Sequence, residues 1–181
     1  MKTLKLITLC MLLLSASCKD DDDNVAPVDQ LPPPTQTGEG TFACLINGEV
    51  FTPDRFGQGV PRAFYQNVNF AFTLSISASQ RGDVPIMRSI NFGGIDVNPI
   101  EEGQTYELIE FASGNFFAEY RLGGGLFLNT SPNPSSPGRL TITNFDPENF
   151  IISGTFEFTV LDDEGNEIRI TEGRFDLRYT T

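Results

Sequence analysis

The sequence contains no histidine and no tryptophan. Without imidazole, Ser-His-Asp and Cys-His relays are excluded, and so is any histidine-ligated metal centre. Lysine is nearly as scarce: Lys2, Lys5 and Lys19 are the only three, all near the amino terminus. The rest of the chain therefore offers no Schiff-base amine, no Ser-Lys dyad and no phosphate-loop lysine. Basic residues number 12 against 24 acidic, for a formal net charge of −12. A surface so poor in positive charge cannot neutralise phosphates, which excludes nucleic acid as a partner. No cofactor is expected. Long apolar runs are missing too, since residues 6–14 form the main one and a membrane-spanning helix needs about 20 residues. What is present, 181 residues of which 39% are hydrophobic, suits one globular domain or two small ones.

The short apolar run follows Lys2 and Lys5 and is itself followed by Ser15, Ala16, Ser17 and Cys18. A basic start, a short apolar segment and small residues at the cut make a secretory signal over residues 1–17. With Cys18 directly after the small residues, the segment resembles a bacterial lipoprotein signal. The resemblance implies cleavage before Cys18 and acylation of its thiol and new amine. It departs from that pattern at Ser15, where a leucine is usual, and cleavage after Ser17 by ordinary signal peptidase is the alternative. Several acyl chains would hold the protein stably on a membrane, the first partner expected.

Lys19, Asp20, Asp21, Asp22 and Asp23 come next. By composition this is a solvated acidic start to a linker, or an engineered tag. Directly after an acylated cysteine it resembles the acidic signal that sends some Gram-negative lipoproteins to the outer face of the outer membrane. The alternative is a lipoprotein facing the periplasm. Residues 24–40 hold four prolines, Pro27, Pro32, Pro33 and Pro34, with Gly38 and Gly40 beyond and few large apolar side chains. Such a stretch buries too little surface to offset chain ordering, so residues 18–40 are expected to form an acylated, disordered tether. The domain is expected at 41–181.

Within 41–181, alternation with period two dominates. Phe70, Phe72, Leu74, Ile76 and Ala78 fall on one face of a strand, and Phe42, Cys44 and Ile46 alternate before Asn47-Gly48, a hairpin signal. Ile152, Phe156, Phe158 and Val160 share a face before the Asp162-Asp163-Glu164-Gly165-Asn166 interruption, after which Ile168 and Ile170 resume. Pairing Leu161 with Glu167 sets Val160 opposite Ile168, Thr159 opposite Arg169, Phe158 opposite Ile170 and Glu157 opposite Thr171. A slip by one residue would bury charges, so the register is well specified. Further strands are expected at 86–92, 105–111, 116–122, 126–129, 139–145 and 175–179. The fold class is all-β: an antiparallel β-sandwich or flattened β-barrel of roughly 8–10 strands, after a signal peptide and tether.

Two stretches carry a family resemblance. One is Phe42-Ala43-Cys44-Leu45-Ile46-Asn47-Gly48 with Phe51-Thr52-Pro53. The other is Ile152-Ser153-Gly154-Thr155-Phe156-Glu157-Phe158, followed by Ile170-Thr171-Glu172-Gly173-Arg174-Phe175-Asp176. With the leader, they resemble an uncharacterised family of Gram-negative bacterial outer-membrane lipoproteins, each a tethered β-rich domain. The resemblance implies a location and a fold, and carries over no catalytic residue. The same pieces read plainly as bulge, turn and strand grammar.

Candidate chemistry is thin. Asp162, Asp163 and Glu164 gather oxygens around a turn, but not at calcium-loop spacing, so a hairpin turn is the plainer reading and metal a weak one. Arg81-Gly82-Asp83 matches an adhesion tripeptide and equally a turn. Gly123-Gly124-Gly125 lacks the following helix that a phosphate cradle needs. Paired carboxylates, drawn from Glu107, Glu110, Glu119, Glu157 and Asp176, are the one familiar hydrolytic device this composition permits. Glu119 and Arg121 are expected to form a surface ion pair, and Cys44 to be a small buried hydrophobe. The expected function is a surface-exposed, lipid-anchored binding or structural module with a protein or glycan ligand and no catalytic residue. A glycan-acting hydrolase using paired carboxylates is the alternative.

Overall fold

The computed structural model describes residues 25–81, 87–123, 128–130, 132 and 135–181. The leader, Cys18 and the segment from Lys19 to Asp23 lie outside these residues, as do Gly82, Asp83, Gly124 and Gly125. Expected strands 86–92 and 126–129 also begin outside them.

Eleven strands form one sheet among the described residues. They are β1 (Thr41–Ile46), β2 (Glu49–Phe51), β3 (Arg62–Val68), β4 (Ala71–Gln80), β5 (Arg88–Val97) and β6 (Thr105–Ile109). The others are β7 (Phe116–Leu122), β8 (Leu128–Thr130), β9 (Gly138–Asp146), β10 (Ile151–Leu161) and β11 (Glu167–Thr180). The order β10-β9-β6-β7-β5-β4-β3-β11 closes on itself because β11 also pairs with β10. The all-β, sandwich- or barrel-like expectation holds. It was too strict in one respect, since β6 runs parallel to β7 and β3 parallel to β11, each over two residue pairs.

Closure depends on the length of β11. One edge pairs with β10, while the other pairs first with β1 and then, at Tyr179 and Thr180, with β3. The β1–β2 hairpin thus fills the wall where β3 has not yet begun. Its far side meets β4 through Asp54, whose amide donates to the Ser79 carbonyl at 3.0 Å and whose Oδ1 accepts from the Arg81 amide at 3.0 Å.

The interior is filled with rings. Phe42, Phe51, Phe92, Phe156, Phe158 and Phe175 are buried together, with Phe92 and Phe156 at a centroid separation of 4.5 Å. Asn47-Gly48 forms the expected hairpin turn, with φ of 51° and 83°, the left-handed values such a two-residue loop requires. Phe70 departs from its expected place on the buried face of β4. Val68 pairs with Ala71, which leaves Asn69 and Phe70 as the turn itself, with φ of 51° and 69°, and Phe70 is 95% exposed. Phe72, Leu74, Ile76 and Ala78 do face inward or partly inward, Leu74 and Ile76 completely.

The β10–β11 register matches expectation from Leu161↔Glu167 to Phe158↔Ile170. Glu157 does not meet Thr171, because β11 carries one extra residue there and the next pair is Phe156↔Gly173. Glu172, at φ 54°, takes the kink. Beyond it the motifs Gly154-Thr155-Phe156 and Gly173-Arg174-Phe175 interlock, Gly154 opposite Phe175 and Phe156 opposite Gly173. Each ring lies over the opposing glycine: a Cβ on Gly173 would stand 2.6 Å from the Phe156 ring, and one on Gly154 2.8 Å from the Phe175 ring. These glycines make room for the core aromatics.

The tether expectation fails from Val25 onward. Residues 25–40 lie along the outer face of β1, β2 and β11 as a strap, starting with a 3-10 turn at Pro27–Gln30. Leu31 is buried against Ala43 and Leu45, which explains why both faces of β1 are buried. Composition had suggested too little apolar surface, but one well-placed leucine and a set of hydrogen bonds to β11 suffice.

Candidate functional site

Asp176 anchors the strap. It lies on β11 between Phe175 and Leu177, so alternation turns its side chain to the outer face, and the strap covers it completely. Oδ2 accepts from the Thr35 hydroxyl at 2.7 Å, the Thr37 amide at 3.0 Å and the Glu39 amide at 3.1 Å. Oδ1 accepts from the Gly38 amide at 2.8 Å and the Ser153 hydroxyl at 2.7 Å. Burial disfavours the charged carboxylate, yet the bonds from Ser153, Glu39, Thr35 and Gly38 outweigh it and hold Asp176 below the usual carboxylate range. Gln36 completes the fastening, donating to the Thr143 carbonyl and accepting from Asn144.

Below the latch, strap and sheet together border a trough of about 440 Å³ on the outer face of β6, β9, β10 and β11. Its floor is a cross-strand row: Thr105 pairs with Thr141, Thr141 with Thr155, and Thr155 with Arg174. The first two hydroxyls share a hydrogen bond of 2.8 Å. Two residues along each strand lies a second row, in which Arg139 stands between Glu107 and Glu157. Arg139 Nε is 3.1 Å from Glu157 Oε1. Pro34 contributes to the strap side, and the Pro32 carbonyl accepts from Arg174 at 3.2 Å. At that end Glu172 lies 3.5 Å from Arg174.

The expected carboxylate set is dispersed by this arrangement. Asp176 is in the latch, and Glu107 and Glu157 flank a guanidinium instead of an open gap. Glu119 is the clearest correction. It bonds Arg121 at 2.8 Å as foreseen, but it is buried, not on the surface, and it also accepts from Asn91 at 3.2 Å. Asp162 shapes its hairpin: its carboxylate accepts from the amides of Glu164 and Asn166 and from the Asn166 side chain. Those bonds hold its pKa below the usual range, the Asn166 side chain contributing most. Asp163 is exposed, and Glu164 approaches the same Asn166 amide at 3.4 Å. Among the described residues no group of three or more His, Cys, Asp or Glu is arranged to hold a metal ion. Cys44 is fully buried in the core, and burial pushes its thiol pKa up, consistent with packing and not with nucleophilic chemistry.

Reading strand by strand missed both features of the site. The threonines at 105, 141 and 155 are unremarkable singly and become a row only once β6, β9 and β10 are in register. The latch joins residues such as Thr35 and Asp176 that are 141 positions apart. Comparison with family models, curated proteins and solved structures returned no match for this chain.

Proposed function

We propose that this protein is a lipid-anchored β domain displayed on the outer face of a Gram-negative outer membrane, where it acts as a binding or structural module. The observation that carries the binding half is the contrast between an interior filled by apolar rings and a polar trough on the outer wall. A ligand is met on that wall, not inside the sheet. The anchoring half rests on the leader, on Cys18 and on the acidic residues after it. The docked strap bears on how such an anchor would act. Its start packs beside β2, near the end of the molecule that carries the Asn47-Gly48 turn. Only residues 19–24 separate Val25 from Cys18, and the seven steps between those two residues span at most about 25 Å. A domain on so short a lead stays close to the lipid.

Replacement of Asp20, Asp21, Asp22 and Asp23 by alanine tests display. The variant is expected to keep its lipid and lose accessibility to protease added to intact cells, because only the sorting signal has changed. Equal digestion of variant and wild type would remove the export reading.

A further inference from the structure

We infer that the trough is a binding site for an uncharged, polyhydroxylated ligand, a neutral glycan segment. This rests on the reading of the domain as a binding module and adds the ligand class.

The first argument is charge. The chain as a whole carries −12, yet the residues that line the trough balance, Arg139 and Arg174 against Glu157 and Glu172, with Glu107 on the far side of Arg139 outside the lining. A site for an anion needs surplus arginine, and one for a cation needs surplus carboxylate. Here neither is present. The second argument is the mixture of donors and acceptors. A sugar hydroxyl both donates and accepts, so its complement presents both functions within a few ångströms. Arg139 lies 3.1 Å from Glu157, so guanidinium donors and carboxylate acceptors stand side by side there. Thr155 and Glu157, two residues apart on the same face of β10, bring a hydroxyl and a carboxylate to the same wall of the trough. The Thr105–Thr141 hydroxyl pair extends the same surface across two more strands.

The third argument is shape. At about 440 Å³ the trough falls within the range of small-molecule sites, roughly 300–1,000 Å³. It is open on one side, which suits a segment of a longer chain. Phe156 belongs to its lining but turns its ring into the core. Recognition is therefore by hydrogen bonds, and the expected affinity is modest.

The test is calorimetric titration of the full chain, purified in detergent, with hexasaccharides of glucose (α- and β-linked), xylose and mannose. Hexagalacturonate and the hexamer of glucosamine serve as charged controls. The inference expects saturable binding of at least one neutral hexasaccharide. It also expects about tenfold or greater weakening in both Arg139→Ala and Thr155→Val, each replacing an exposed side chain that can lose one or more hydrogen bonds to ligand. Phe70→Ser, on the β3–β4 turn, should bind as wild type. Near-ultraviolet circular dichroism checks that each variant keeps its packing. The inference is overturned by absence of neutral binding up to about 10 mM, by binding that survives both trough variants, or by preference for a charged hexamer. None of those results touches the display experiment, so the ligand class can fail while the anchored-module reading stands.

Discussion

Asp176 is the residue on which the amino-terminal strap depends. Its two oxygens receive bonds from Thr35, Thr37, Gly38, Glu39 and Ser153, three of them from backbone amides that have no other use for that geometry. Asp176→Asn keeps the size but places an NH2 group against donors. Leaving buried donors unmatched costs about 1–3 kcal/mol each, so a loss of about 2–4 kcal/mol is expected in denaturant unfolding. The loss should be accompanied by faster amide exchange at residues 37–39. A shift below about 0.5 kcal/mol would mean that Leu31 and the bonds of Gln36 and Pro32 hold the strap without the carboxylate.

The pH dependence follows from the same bonds. Because the folded protein holds the Asp176 pKa below its ordinary value, the unfolded chain binds the proton first as pH falls. Its contribution is therefore complete above the ordinary aspartate range, about pH 3.9, and is lost as pH falls through the lower folded value. Protection of the Gly38 and Glu39 amides, corrected for intrinsic exchange, should stay constant down to that range and then decline. A decline centred near neutrality would contradict the assignment.

At the scale of elements, the β10–β11 hairpin makes the pleat testable. Phe158 is buried opposite Ile170, while its neighbour Thr159 is half-buried on the other face opposite exposed Arg169. Phe158→Ala should cost about 3–5 kcal/mol, the range for removing a large ring from a packed core. Thr159→Ala should stay within about 0.5 kcal/mol, as surface substitutions do. Denaturant midpoints for the two variants give the comparison, and equal losses would mean that both faces of β10 are packed. This hairpin was legible in the sequence because hydrophobic alternation and a five-residue turn left one acceptable register. The extra residue at Glu172 was not, because a bulge is invisible to a period-two count until the partner strand is fixed. Phe70 misled for a related reason. It continues the alternation of Phe72 and Leu74, but the two-residue turn required by Val68 and Ala71 overrides its hydrophobicity.

At the scale of the whole molecule, what the sequence could express locally was readable: the all-β class, the Asn47-Gly48 turn, the buried Cys44. Contacts between distant segments were not. The strap illustrates why. Pro32, Pro33 and Pro34 and the scarcity of large apolar groups are the marks of a chain that cannot form a core of its own. They say nothing of whether a ready-made surface will accept it. Nor could the trough be foreseen, since its rows cross β6, β9, β10 and β11, whose spatial order differs from their order in the chain. Docking the strap also changes what anchorage would mean. A loose connection of 22 residues would let the domain sample a reach of about 26 Å in any orientation. A latched strap leaves six residues and a fixed point of departure beside β2.

The central claim is that this domain is held on a membrane by lipid at Cys18. Intact-mass measurement of the protein recovered from membranes, alongside fractionation of Cys18→Ala, tests it most directly. The wild type is expected to begin at Cys18, to carry the mass of its acyl chains and to sediment with membranes. Cys18→Ala should lack that mass and leave the membrane fraction, since one lost attachment removes every chain. A wild-type protein without acyl mass, together with a Cys18→Ala variant that remains membrane-bound, would contradict it.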